Sequence, residues 1–255
     1  MQLDVLGSSG TAPRPGNPAS GYLVRSKAAT IWMDAGPGTY MALLELIDPE
    51  ALDAVLLSHM HPDHSSDIFA LAHTLAYIRK SRRAIPVVVP DGSVERLGGF
   101  VGGGDQHPLF ESLSFHEAQP GETFDFGDVS VALQAAHHTV PAFAFRLSCG
   151  GATLGYTGDT GPSDLVTDHF RGIDLLLAEA SLDDRSEPFP FHLTAREAGA
   201  MASAAGVSHL LLTHIPEGRD LPRSLMVAAG EFGGQLGLAE PGDTYIIATK
   251  REEDS

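Results

Sequence analysis

Apolar residues along this chain follow two rhythms. Short continuous runs, LDAVLLS (52–58), AIPVVVP (84–90), GIDLLLAEA (172–180) and SHLLLTH (208–214), are bounded by turn residues. They predict strands, LDAVLLS and AIPVVVP buried ones. QLDVLG, GYLVRS, ATIWMDAG, LSFHEA, DVSVALQAA, AFAFRLSC, ATLGYTG and TYIIAT also predict strands. A helical spacing marks GTYMALLELI, SDIFALAHTLAYIRKSRR, TAREAGAMASAAG and a segment from about Pro222 to Phe232. Thr194 and Glu197 form the capping-box pattern at the third of these. GSSGTAPRPGNPAS is a loop by its Gly, Ser and Pro content. GGFVGGGD (98–105) is too rich in glycine for the interior of an element; it reads as a lid beside a site or as an ordinary surface loop. Strands come first in blocks and then alternate with helices, with no repeat, linker or low-complexity segment. This order predicts two packed sheets with helices outside, in one α/β (α+β) domain spanning 1–255.

Composition narrows the picture. An apolar fraction of 43% suits a globular core, and no apolar run is long enough to cross a bilayer. The start, MQLDVLGSSG, lacks the basic and apolar regions of a signal peptide. A single cysteine, Cys149, forms no intrachain disulfide and reads as a small buried residue, so a cytoplasmic setting is expected. The net charge of −17 repels polyanions unless a local basic patch or a bound metal reverses the field. The one dense basic run, RKSRR (79–83), reads as a solvated helix end, with a nucleic-acid contact as the alternative.

The chemistry is concentrated after LDAVLLS. His59, His61, Asp63 and His64 fall within six positions at the carboxyl end of a buried strand, where α/β proteins place ligand sites. Imidazole and carboxylate suit zinc and similar divalent ions. One ion takes about four ligands, and the alternation of His59 with His61 against Asp63 and His64 divides this segment between two adjacent sites. The missing donors follow other apolar strands: His137 and His138 in AAHHTVPAF, Asp159 in GYTGDTG, and His214 in LLLTHIPE. Four strand ends carrying such donors outweigh coincidence.

The H-x-H-x-D-H run, a later His, an Asp in a GDT turn and a final His after an apolar strand resemble the metallo-β-lactamase superfamily. LGSSGTAPRPGNPASGYLV, IWMDAGPGT and FHLTAREAGAMASAAGVSHLLLTHIPE are similar to its tRNase Z-like branch, so the resemblance spans Leu6 to about Glu217. It implies an αββα sandwich with a binuclear metal site, two divalent ions, zinc or manganese. His59, His61 and His138 would hold one ion and Asp63, His64 and His214 the other, with Asp159 bridging. HTVPAFAFR aligns with the third motif and selects His138 over His137. Asp34 matches a position that steadies a metal-bound histidine; it also reads as a turn residue before Gly36. Related diiron redox proteins carry glutamate at the His61 position, so histidine there implies hydrolysis. Asp63 and His192 match the catalytic positions: a water between two cations becomes a nucleophile near neutral pH, and His192 would protonate the leaving oxygen. The other reading of His192 is a neighbour of the Thr194 helix cap.

The chain departs from true tRNase Z enzymes, which grip tRNA with a long arm between the third-motif His and the bridging Asp. Here only 21 positions separate His138 from Asp159, too few for an arm. A small phosphodiester such as a cyclic nucleotide is therefore the expected substrate, rather than tRNA. Compact arm-less relatives that degrade cyclic nucleotides look similar at HLTAREAGAMASAAGVSHLLLTHIP. The alternatives are a ribonuclease of the tRNase Z type, a lactone or thioester hydrolase on the same metal core, and a non-catalytic metal-dependent scaffold. No membrane partner is expected, and the branch resembled often forms homodimers.

Overall fold

A computed structural model describes residues 1–102, 107–183 and 189–248. Two seven-stranded sheets face each other. The first runs, in spatial order, β14 (Thr244–Ile246), β1 (Gln2–Gly7), β2 (Gly21–Arg25), β3 (Thr30–Met33), β4 (Ala54–Leu56), β5 (Ile85–Pro90) and β6 (Leu113–Ala118). The second runs β13 (Gln235–Leu238), β12 (His209–Thr213), β11 (Leu175–Glu179), β10 (Ala152–Tyr156), β9 (Phe143–Cys149), β8 (Val129–Ala135) and β7 (Thr123–Phe126).

Strands of both sheets are apolar on both faces because both faces are covered. In β3, Ile31 and Met33 point between the sheets while Trp32 points outward. In β11, Leu175 and Leu177 point inward while Leu176 and Ala178 point outward. Outside the first sheet lie α1 (Thr39–Leu44), α2 (Pro62–Ser65), α3 (Ile68–His73, continued by a π-turn over Thr74–Arg79), α4 (Ser93–Val101) and α5 (Pro108–Ser112). Outside the second lie α6 (Asp164–His169), α7 (Ala195–Ala205) and α8 (Leu221–Ala229). Each outer layer buries its own apolar stripe, so the strands are covered twice: Leu43, Ile68 and Leu71 pack on the first sheet, and Ala198, Ala202 and Ala228 on the second. This is the αββα sandwich expected from the chain. No helix among the described residues is long and apolar enough to cross a membrane.

β3 to β6 pair in parallel, as do β10 to β13. β8 runs the same way as β10, because each pairs antiparallel with β9. The carboxyl ends of β3, β4, β8, β10, β11 and β12 therefore open on one rim.

The structure corrects several expectations. GGFVGGGD does not stay outside an element: α4 continues through Gly98, Gly99 and Phe100. Buried Leu97, a bond from the Val94 amide to Glu117, and the stack of Phe100 on Phe69 at 4.6 Å anchor it despite the glycines. Gly103, Gly104 and Asp105 of that stretch lie outside the described residues, as does Thr249 at the end of TYIIAT. β7, β13 and α6 carry weak periodicity and are not predicted. The first helix stops at Leu44, short of Ile47. Cys149 is half-buried against the inter-sheet core. The basic run ends the π-turn as expected, with Arg79 paired to Asp48 and Arg83 to Asp53.

Candidate metal centre

At the rim, β4 ends and the chain turns through His59 and His61 into α2, which carries Asp63 and His64. His138 follows β8, Asp159 follows β10 and His214 follows β12. All seven meet. Donor atoms of His59, His61, His138 and Asp159 gather within 4.8 Å of one another, as do those of Asp63, His64 and His214. Asp159 lies between the groups, its carboxylate 3.3 Å from His64 Nε2, 3.4 Å from His214 Nδ1 and 3.7 Å from His59 Nε2.

Hydrogen bonding fixes which face each ring presents. His64 Nδ1 lies 2.7 Å from the Asp34 carboxylate and His138 Nδ1 lies 3.0 Å from the Phe191 carbonyl. Both oxygens only accept, so both Nδ1 atoms carry a proton, and in the neutral ring each Nε2 turns a lone pair to the centre. For His64 burial opposes the charged form, but the Asp159 and Asp34 carboxylates raise its pKa well above the ordinary range. The Ser58 hydroxyl donates to Asp34 and so accepts from His59 Nδ1 at 3.1 Å. The Ser181 hydroxyl donates to Glu179 and accepts from His214 Nδ1 at 2.8 Å. Four imidazoles are thus held in one tautomer. Their lone pairs approach other donors: His59 Nε2 lies 3.0 Å from His61 Nδ1, His138 Nε2 lies 3.1 Å from the same atom, and His64 Nε2 lies 3.1 Å from His214 Nε2. Burial keeps His59 and His61 below the usual imidazole range and drives His138 down to about 4, which favours the neutral, ligating form. Asp159 Oδ1 is buried with no hydrogen-bond partner. An orphaned carboxylate oxygen among converging lone pairs fits a divalent cation.

The neighbouring histidine behaves differently. His137 is exposed, its amide bonds the Thr160 hydroxyl and its ring packs on Phe191 at 5.2 Å, outside the cluster. Asp34, read from sequence as a positioning or a turn residue, is both. It adopts a left-handed φ of 55° and accepts from the Ser58 amide, the Ser58 hydroxyl, His64 and the Tyr156 hydroxyl.

His192 sits at the edge of the cluster, a donor atom of its ring within 4.8 Å of those of Asp159 and His214, with Nδ1 2.8 Å from Glu179 Oε1 and 3.9 Å from Asp159. Burial works against its charge, but the hydrogen bond and charge of Glu179 outweigh this and raise the imidazolium above its ordinary range. Glu179 is fully buried and also accepts from the Thr160 amide. Sequence reasoning missed Glu179, Ser58, Ser181 and Tyr156. A glutamate ending the otherwise apolar LLLAE was the available signal for the first.

An αββα sandwich with a rim of histidines and aspartates defines a metallo-hydrolase. The chain belongs to the Beta-lactamase superfamily domain family, which it matches over residues 29–215. It is 33% identical to the uncharacterized protein Rv1339 of Mycobacterium tuberculosis, over 97% of this chain and 92% of that one. The crystal structure of the metallo-β-lactamase fold protein YhfI of Bacillus subtilis superposes with a TM-score of 0.86 at 27% identity, covering 96% of this chain and 98% of that one. A ribonuclease Z of Mycobacterium bovis is 26% identical over 92% of this chain and 94% of its own.

Two substitutions test this geometry. His138→Ala is expected to lose bound divalent metal, while His137→Ala keeps it, as read by elemental analysis; the reverse pattern would assign the wrong neighbour. Asp34→Ala frees the His64 ring and should weaken metal affinity about 10–100-fold, measured by competition with a chelator.

Proposed function

We propose that this protein hydrolyses small phosphodiesters, cyclic nucleotides among them, with two divalent ions. His59, His61 and His138 would hold one ion and Asp63, His64 and His214 the other, with Asp159 shared. Imidazole and carboxylate donors suit zinc, with manganese as the alternative. Bound there, the ions would neutralise charge on phosphoryl oxygens and lower the pKa of a water in the site.

The observation that carries the reading is the Glu179–His192 pair. The metal donors alone serve acyl and phosphoryl chemistry equally. His192 adds a group outside the proposed ligand set whose Nδ1 is held by a carboxylate, leaving Nε2 to carry a proton. A phosphodiester expels a poor leaving oxygen that needs such a proton; an activated thioester does not. Glu179 orients the ring and favours its protonated form. Asp63 has one oxygen 3.1 Å from His214 Nε2 and would combine the role of ligand with that of accepting a proton from water in the site.

A small substrate is favoured by the segment between His138 and Asp159. It consists of β9 and β10, joined through Gly150 and Gly151 at φ 57° and 91°, which leaves no length for a tRNA-gripping arm. A ribonuclease, the activity named for the Mycobacterium bovis relative, is the second reading, and this tight turn weighs against it.

Elemental analysis of metal-reconstituted protein should find two ions per chain, and Asp159→Ala should deplete both; one ion or fewer in the loaded wild type would rule out the binuclear reading. His192→Ala should retain metal but lower the rate about 10²–10⁴-fold on a cyclic nucleotide, and much less on a nitrophenyl phosphodiester, whose leaving group needs little protonation. Equal losses on both would remove the acid role. Faster turnover of a lactone or of precursor tRNA than of any small phosphodiester would overturn the substrate.

A further inference from the structure

A groove of about 380 Å³ opens beside His138. Its walls include Pro90 and Asp91 at the end of β5, Pro120 before β7, Ala136 after β8, and Val140 and Pro141 beyond His138. This is within the size range of small-molecule sites. It adjoins the metal centre, because His138 belongs to both. We propose that it receives an uncharged planar ring, the nucleobase of a phosphodiester substrate, with the Asp91 carboxylate accepting a hydrogen bond from the ring's edge. The inference rests on the phosphodiester reading and adds what the rest of the substrate must be.

Charge carries the argument. No lysine or arginine lines the groove, and apart from His138 its one ionisable side chain is Asp91. Asp91 is exposed and makes no ion pair or side-chain hydrogen bond among the described residues. A second phosphate lying along the groove would meet an anion and no cation, so a continuing RNA strand is disfavoured. A ring without charge meets no such penalty. Its faces would rest on the apolar prolines and Val140, which replaces water on those faces at little polar cost. Nucleobases carry N–H groups on their edges, and a carboxylate is an acceptor with no donor of its own. An acyl chain of a lactone would fill the walls equally well but would give Asp91 no partner. The groove, whose one carboxylate stands among neutral polar groups of Gln119 and Thr139, therefore favours a substrate with its charge confined to a single phosphodiester and with donors on its ring.

The test uses metal-loaded protein with cyclic AMP, cyclic GMP and methyl 4-nitrophenyl phosphate, whose ring offers no donor. Asp91→Ala should raise KM for the cyclic nucleotides about tenfold with kcat little changed, and leave the nitrophenyl ester unaffected. Alanine is chosen because asparagine before Gly92 would create a deamidation-prone pair. Val140→Trp, which fills the groove, should weaken binding of AMP and GMP in calorimetry while elemental analysis finds the metal retained. Equal effects of Asp91→Ala on all three substrates, or none on any, would overturn the inference while leaving phosphodiester hydrolysis intact. If the wild type hydrolyses no phosphodiester, the proposed function falls. Calorimetry then decides the groove separately: AMP and GMP binding unchanged by Val140→Trp would exclude it as their site.

Discussion

The arrangement of the rim depends on one buried carboxylate. Asp34 has no exposure to solvent and accepts from the Ser58 amide, the Ser58 hydroxyl, His64 and the Tyr156 hydroxyl. Removing a carboxylate from water is costly, and several good hydrogen bonds are what offset it. Those donors come from both sheets: Ser58 and His64 follow β4, while Tyr156 ends β10. The same oxygens therefore join the layers and orient the metal-facing rings. His64 is held directly and His59 through Ser58. Asp34 and His214 both adopt left-handed φ values, 55° and 52°. A side chain with a Cβ takes that conformation at a cost of about 1–3 kcal/mol, and here surrounding bonds maintain it at the positions that aim the site.

Glu179 does the corresponding work in the second sheet. It ends β11, accepts from the Thr160 amide, and holds His192 directly and His214 through Ser181. Thus two carboxylates, one per sheet, position four histidines. The loops can come this close only where side chains are absent. A Cβ on Gly36 would lie 2.2 Å from the Asp63 carbonyl oxygen, and one on Gly161 would lie 1.6 Å from that of Pro190. The second contact brings the segment carrying Phe191 and His192 against the Asp159 turn.

The parts of this centre legible in sequence were those written in continuous stretches. A donor directly after an apolar run announces itself, because the run fixes the strand and the strand fixes the rim. His59, His61, Asp63, His64, Asp159 and His214 could be read in that way. His138 could not be separated from His137 by its position alone; the resemblance to a motif chose it, and the Phe191 carbonyl supplies the physical reason. Glu179 was hidden because its partners lie 13 and 19 positions away at His192 and Thr160, across loops that only folding brings together. α4 escaped for another reason. Its glycines lower local propensity, but Leu97 and the Phe69–Phe100 stack supply tertiary contacts that propensity does not contain.

A chain of net charge −17 would need its attraction for an anionic substrate to be local. The basic run does not provide it: it begins at the end of the π-turn, away from the donor cluster, and two of its four cations, Arg79 and Arg83, pair with Asp48 and Asp53. On the proposed reading two cations held by the residues around Asp159 would supply it, while the acidic surface remains repulsive farther out. A polyanion would feel that repulsion along its length and recover it at one phosphate only. A compact phosphodiester feels the attraction at its single charge and presents an uncharged ring elsewhere. Discrimination then comes from what the surface rejects as much as from what the centre binds. On that reading, the acidity that would oppose phosphodiester chemistry in a polyanion would act as the filter that restricts it to small substrates.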